Sequence, residues 1–398
     1  MTIMEEPVLI IKKPIIELIG DNAVLKSEIV ENGVGRTMFF SVEKRFARGL
    51  VDNLSDAFLV AVFSHCMIEK LNIVCEAPVS RHLLYSLKNR LIPELSARTE
   101  RYHQISITAD ADDTVFQSEK AVGVGWSGGV DCMYTFMKNR NSELPHYKIT
   151  HLVNINAGAF EGSLENCMRE FAFASEKAKK AAEEFGLEHI DIDTNIHLLY
   201  DEIYLSVAPQ RLCAAVLALQ KLFSNYYISS AYEVTSLSFD ENNSAYYEFT
   251  ICSSLCTQNT SFYDIGSNAT RIEKLKQIAE DDFSRKNLHV CVKESDRNCG
   301  HCLKCIRTIS ALYALEKLEN FSEAFDLGFV YENIDMILGK TYHYRKSQHF
   351  GESVSLMNAK GMELSFKAKK YAAFLDAAEK AIEKHRDTLL KNEVKNYQ

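Results

Sequence analysis

The sequence predicts an α/β protein built on a parallel sheet, with a smaller α/β region before it and a helical tail after it. Three observations carry that prediction. From about Lys120 onward, short apolar runs alternate with longer segments of helical periodicity, the pattern of strand–helix–strand units. The first of these runs, Ala121 to Gly125, leads straight into a Gly-Gly turn and a helix start. The last stretch, Phe366 to Leu390, is rich in Lys, Glu and Ala and reads as one long helix.

In chain order, Val8–Ile11, Ile15–Ile19 and Thr37–Val42 read as strands. Asp56–Phe63 begins a helix with a broad apolar face. Leu71–Cys75 is a short strand, and Ser80 is the expected cap of a helix that follows it. His103–Ala109 alternates as a strand, and the acidic stretch Asp110–Asp113 marks a turn. This first part, residues 1–118, carries no chemical motif and has no assigned role. In the second part, 119–320, strands are expected at 121–125, 149–156, 189–194 and 226–231. Helices are expected at 166–185, closed by Gly186, and from Pro209 to Leu222, with proline at the helix start. The third part, 321–398, is helical and suits packing on the core or self-association into a homo-oligomer.

The 398 residues suffice for two or three domains with a sizeable core. A net charge of -9 argues against a dedicated nucleic-acid binder without excluding a local basic groove. The N-terminal residues lack the basic and apolar regions of a signal peptide, and no run is long and apolar enough to span a bilayer. The expectation is a cytoplasmic protein without a membrane partner. In a reducing compartment, 11 cysteines signal metal binding or redox chemistry rather than a disulfide framework.

Two motifs carry chemistry. Ser127-Gly128-Gly129-Val130-Asp131-Cys132 sits between the strand at 121–125 and the next helix. A helix N-terminus presents unpaired N–H groups and the positive end of its dipole, and glycines let the backbone close on an anion. Ser127 adds a hydroxyl donor, and Asp131 is placed to hold Mg²⁺ against a phosphate. The second motif is Cys291, Cys299, Cys302 and Cys305, whose spacing allows four thiolates to surround one Zn²⁺. Four ligands leave no open position, so this Zn²⁺ is expected to be structural, with free thiols, a redox dithiol or an iron–sulfur ligand set as the alternatives. His301, between two of the cysteines, is expected to face away. Asn156 and Gly158 follow a strand end and suit an adenosine pocket. Arg211, Arg271 and Lys274 are candidate phosphate contacts, against the plain alternative of solvated helix faces.

The Ser-Gly-Gly-Val-Asp string resembles the PP-loop of the ATP pyrophosphatase superfamily, where Ser usually stands in place of Cys132. Together with the four cysteines downstream, residues 119–318 resemble the 7-cyano-7-deazaguanine synthase group. The resemblance implies a nucleotide α-hydrolase-like sheet domain that splits ATP into AMP and pyrophosphate. It implies adenylation of a carboxylate or amide oxygen on a small-molecule or nucleobase-like substrate, then attack by ammonia. The loop residues Ser127 to Cys132 would hold ATP, with Ser127 and Asp131 catalytic. Two alternatives stand beside this reading. One is sulfur transfer from a sulfur donor, as in thiouridylases, with Cys132 or Cys252 as carrier. The other is a zinc-stabilised nucleotide- or RNA-binding protein without turnover.

Overall fold

The computed structural model describes residues 7–160, 163–293 and 297–396, and side chains as far as 385. The chain forms two compact units: residues 1–127 with 134–268, and residues 128–133 with 269–398.

The first unit is organised by one mixed, mostly parallel sheet of 11 strands. Its strands are β1 (Val8–Ile11), β2 (Ile15–Ile19), β3 (Asn22–Glu31), β4 (Val34–Glu43), β5 (Asn72–Cys75), β6 (Val79–Ser80), β7 (Ile107–Thr108), β8 (Ala111–Asp112), β9 (Ala121–Gly125), β10 (His151–Asn156), β11 (Glu188–Thr194), β12 (Phe223–Ser229) and β13 (Ser261–Ile265). β6 and β8 pair separately. The main order is β13-β12-β9-β10-β11-β4-β3-β1-β5-β7, with β2 paired to β3.

The half from β13 to β11 is parallel throughout. Counted along the chain from β9, its order is fifth, fourth, first, second, third. The first strand is therefore central, and the chain reverses its direction of travel between β9 and β12. Such a switch point opens a crevice beyond the carboxyl ends of the strands. The loop Trp126–Gly129 leaves β9 at that end and enters the helix Val130–Asn139.

The other half begins at β4, antiparallel to β11, and the two halves meet over only two register pairs, Asp193↔Ser41 and Thr194↔Phe40. Asn195 extends this short seam with its side chain. Its Oδ1 accepts from Phe39 N–H at 2.9 Å and its Nδ2 donates to Thr37 O at 2.8 Å. Residue 118 thus lies inside a unit whose sheet draws strands from both sides of the expected boundary.

Several elements differ from expectation. β3 alternates inward Ala23, Leu25, Ser27 and Ile29 with outward residues, and β13 completes the parallel half; neither was anticipated. The strand expected over 103–109 shortens to Ile107–Thr108. Ser80 does not cap its helix, because its Oγ is committed to Asp56 Oδ2 at 2.5 Å. Pro209 does not begin a helix but sits inside Tyr204–Leu217. A proline there deprives the carbonyl of Leu205 of its intrahelical donor. Ser244 Oγ donates to that carbonyl at 2.7 Å, which replaces the missing hydrogen bond.

The second unit is helical. It comprises the helices Arg271–Ile278, Asp282–Asn287, Leu303–Ala314, Leu327–Glu332, Ile334–His343, Gln348–Ala359 and Phe366–Asn396, together with the short segment 128–133. The C-terminal tail expected to be helical is so, and Ala314, Leu338, Val354, Met357 and Ala368 form its apolar core. Among the described residues no helix is long and apolar enough to cross a membrane.

His151, on β10, packs edge-on to Phe223 and against Phe46. Burial lowers its pKa from 6.5 to about 4, beyond what Glu188 restores. A depressed folded pKa gives stability that is present above pH 6.5 and is lost as pH falls towards 4. We expect this residue to account for about 3 kcal/mol of lost stability over that window. Urea unfolding of wild type and His151→Gln at pH 7 and pH 4.5 checks this. An unchanged pH dependence in the variant would refute it.

Candidate functional site

The segment Ser127 to Cys132 is built by backbone geometry. Gly128 adopts φ 69°, a conformation that a side chain disfavours. His289 N–H donates to Gly128 O at 2.9 Å, and Met133 N–H donates to Gly129 O at 2.9 Å as the helix begins. Ser127 is the last residue of the first unit's leading segment; Gly128, Gly129, Val130, Asp131 and Cys132 group with the second unit. Cys132 and Val130 are buried.

Asp131 is the hub of the second unit's charged cluster. Its Oδ2 accepts from Arg271 Nη1 at 3.1 Å, and its Oδ1 accepts from Lys274 Nζ at 3.0 Å. Both cations lie on the helix Arg271–Ile278, whose start is fixed by a reciprocal capping box between Thr270 and Glu273. The spacing of three residues puts Arg271 and Lys274 on one helix face. Burial works to raise the Asp131 pKa, but Arg271, Lys274 and Arg307 together hold it below the ordinary carboxylate value. Lys304 and Arg307, on Leu303–Ala314, add further positive charge. Lys304 is lowered by desolvation of its ammonium and then by repulsion from Arg307 and Arg271, although its side chain as a whole stays exposed. The cluster holds four cations, Arg271, Lys274, Lys304 and Arg307, in the electrostatic reach of Asp131. That excess of positive charge suits a polyanion.

Arg271 and Lys274, expected as phosphate contacts, each bond an oxygen of Asp131. The expectation that Asp131 holds Mg²⁺ meets a carboxylate whose two oxygens are each already bonded to a cation. Arg211 is a different case. It is not near a helix start but eight residues into Tyr204–Leu217, buried, and belongs to the first unit. Its guanidinium bonds Glu202 Oε2 at 3.0 Å and the carbonyls of Tyr200 and Ala157 at 3.3 and 3.4 Å. These bonds tie together two loops. Asn156 ends β10 and gives Nδ2 to Asp193 Oδ1 at 2.8 Å, while its Oδ1 is buried without a hydrogen-bond partner among the described residues. Gly158 turns the chain just beyond, at φ 98°.

The four cysteines converge. One sulfur each from Cys291, Cys299, Cys302 and Cys305 lies within 4.8 Å of the others. A tetrahedral Zn²⁺ with bonds of about 2.3 Å requires sulfurs about 3.8 Å apart. Cys299 Sγ and Cys305 Sγ are 3.9 Å apart. Backbone N–H groups of Lys293, Cys302 and Cys305 donate to Cys291, Cys299 and Cys302 sulfurs at 3.3, 3.3 and 3.4 Å. Such donors stabilise thiolate charge. Bonding from Cys305 lowers the Cys302 thiol, and the same contact raises Cys305, as expected when thiols crowd together. The donor set fits zinc. His301 is exposed and turns its Nδ1 to Cys299 O at 2.9 Å, away from the sulfurs as expected.

Sequence reasoning missed the residue that shapes this knuckle. Asn298 Oδ1 accepts from Val290 and Cys291 N–H at 2.8 and 3.1 Å, and its Nδ2 donates to Leu288 O and Ala324 O at 2.8 and 2.9 Å. Its position beside Cys299 was the available signal. Gly300 has φ 73°, and a Cβ there would come within 2.8 Å of the Phe329 ring.

Comparison with family models, characterised proteins and solved structures gave no match to this chain.

We expect one Zn²⁺ per chain by elemental analysis, lost with Cys302→Ser. Metal binding to a folded site is folding free energy, so a strong chelator should lower the melting temperature. Gly300→Ala should cost about 1–3 kcal/mol through backbone strain and the ring contact. Protein that is metal-free and equally stable after chelation would contradict the assignment.

Proposed function

We propose that the chain is an ATP-dependent, AMP-forming enzyme of the PP-loop type. The observation that carries this reading is Asp131 at the first turn of the helix after the central strand, organising Arg271 and Lys274 beside a glycine turn. The parallel strand order with its switch point at β9 and β12 supports it, because loops at such a point are where nucleotides bind.

In this reading the segment Ser127 to Asp131 receives the phosphates of ATP. Mg²⁺ enters with the nucleotide, coordinated by phosphate oxygens. Asp131 acts as counter-ion and aligner, aiming the guanidinium of Arg271 and the ammonium of Lys274. A substrate carboxylate or amide oxygen attacks the α-phosphorus, the bond to the bridging oxygen breaks, and pyrophosphate leaves with its charge neutralised by the cations. Ammonia then displaces AMP. Catalysis is positioning and charge stabilisation rather than covalent chemistry by the protein. The small-molecule acceptor follows the resemblance described above.

The sulfur-transfer alternative finds less support. Hydrogen bonding with Cys213, then burial, raises the Cys252 thiol well above its ordinary value, the opposite of an activated thiolate. The half-buried Cys256 is raised too, by burial.

Incubation with MgATP and candidate acceptors should release AMP and pyrophosphate; ADP and phosphate without AMP would overturn the reading. Asp131→Asn should lower AMP formation by about 10²–10³-fold, since it removes the charge that orients two electrostatic catalysts. A wild-type rate in Asp131→Asn would equally rule out this role. Cys132→Ser, which restores the hydroxyl of the usual loop, should retain activity.

A further inference from the structure

The helix Gln348–Ala359 lies in the C-terminal region that follows the part of the chain resembling a known family. It reaches the Asp131 cluster. Glu352 Oε2 accepts from the backbone N–H of Ile272 at 3.1 Å. Ile272 is the second residue of the helix Arg271–Ile278, directly after Arg271. The early N–H groups of a helix have no intrahelical acceptor. Here the side chain of Thr270 takes one, at Glu273, and Glu352 takes another, at Ile272.

The consequence is that this helix end is not an open anion site. It is already filled by a carboxylate from 80 residues further along the chain. What the carboxylate fixes is the first turn, and with it the backbone from which Arg271 projects to Asp131. Arg271 is buried, and its Nε has no hydrogen-bond partner among the described residues, so the Asp131 contact and the backbone beneath it do most to set its direction. Glu352 Oε1 is likewise buried and makes no hydrogen bond among the described residues; His349 Nδ1 lies 3.8 Å from it. One oxygen of Glu352 therefore serves the helix, and the other faces His349 on its own helix.

We infer that Glu352 is a positioning residue for the anion site, holding the first turn of Arg271–Ile278 so that Arg271 and Lys274 face a bound pyrophosphate group. This rests on the nucleotide reading proposed above. The tail of the chain is then part of the phosphate-binding apparatus.

Two physical effects of removing Glu352 have opposite signs, which makes the inference testable. Loss of a carboxylate near a polyanion site, taken as charge alone, tightens binding. Loss of alignment weakens it. Binding of inorganic pyrophosphate with Mg²⁺, and of MgATP, to the full chain is measured by calorimetry for wild type, Glu352→Ala and Glu352→Gln. The amide of Gln still accepts from Ile272 N–H but carries no charge. Glu352→Ala is expected to weaken pyrophosphate binding by about tenfold or more, and Glu352→Gln to stay within about threefold of wild type. Zinc content and circular dichroism establish that each variant is folded. If the Ala variant does not fold, Glu352→Asp, one methylene shorter and still charged, is expected to show the same weakening. Equal or tighter binding in a folded Glu352→Ala or Glu352→Asp, beside a wild type that binds, overturns the positioning role alone. A wild type that binds neither pyrophosphate nor ATP overturns the nucleotide reading and this inference with it.

Discussion

Two cations cannot be buried near one another without a carboxylate to share, and that constraint organises the second unit. Lys274 is 1 % exposed, and Arg271 is 5 % exposed. Each would be costly to desolvate alone. Asp131 makes the arrangement tolerable by bonding one cation with each of its oxygens. The segment carrying Asp131 is only six residues long in this unit, yet it sits at its electrostatic centre. The helix Arg271–Ile278 is oriented by these bonds, and the helix Leu303–Ala314 approaches it with Lys304 and Arg307. The same helix begins at Cys302, whose sulfur accepts from Cys305 N–H and caps it. The four-cysteine knuckle and the charged cluster thus share the first turns of one helix.

The charges remain unbalanced after this pairing. Asp131 and Glu352 are the carboxylates bonded into the cluster, against Arg271, Lys274, Lys304 and Arg307. His349 does not add to the positive side: burial lowers its pKa first, Glu352 acts against that, and Arg271 and Arg307 lower it further. The cluster keeps a net positive character suited to an anion.

Much of this was legible in the sequence, for local reasons. β1 and β2 lie where apolar β-branched runs placed them, and the strand at 121–125 was unmistakable between its turn signals. The four cysteines needed only their spacing. Arg271 and Lys274 stood out because a turn precedes them. What escaped depended on partners far along the chain. Pro209 reads as a helix start unless one knows that Ser244 will satisfy Leu205. Ser80 reads as a cap unless one knows that Asp56 will claim its hydroxyl. Arg211 reads as a phosphate ligand until Glu202 is seen beside it. Glu352 has no local pattern at all; it is one acid in a helix, and only the contact with Ile272 distinguishes it. β3 is different again, since its alternation was present in the sequence, and its charged outward face obscured it.

The narrow junction between β11 and β4 has a consequence for how the chain reaches its fold. Three of the four pairings in the parallel half join strands neighbouring in sequence, and β2, β3 and β4 form consecutive hairpins that close locally. Pairs close in sequence cost less chain entropy to join and form early. The β11–β4 seam joins residues about 150 positions apart through two register pairs, the side chain of Asn195 and Arg45, which bonds Glu188 Oε2 and the carbonyl of His189. On grounds of chain entropy alone it is expected to close after the local hairpins. Until it closes, β4 and β11 are unpaired strand edges, and the brief lifetime of that state is where the nascent chain is most exposed to pairing with a second copy of itself.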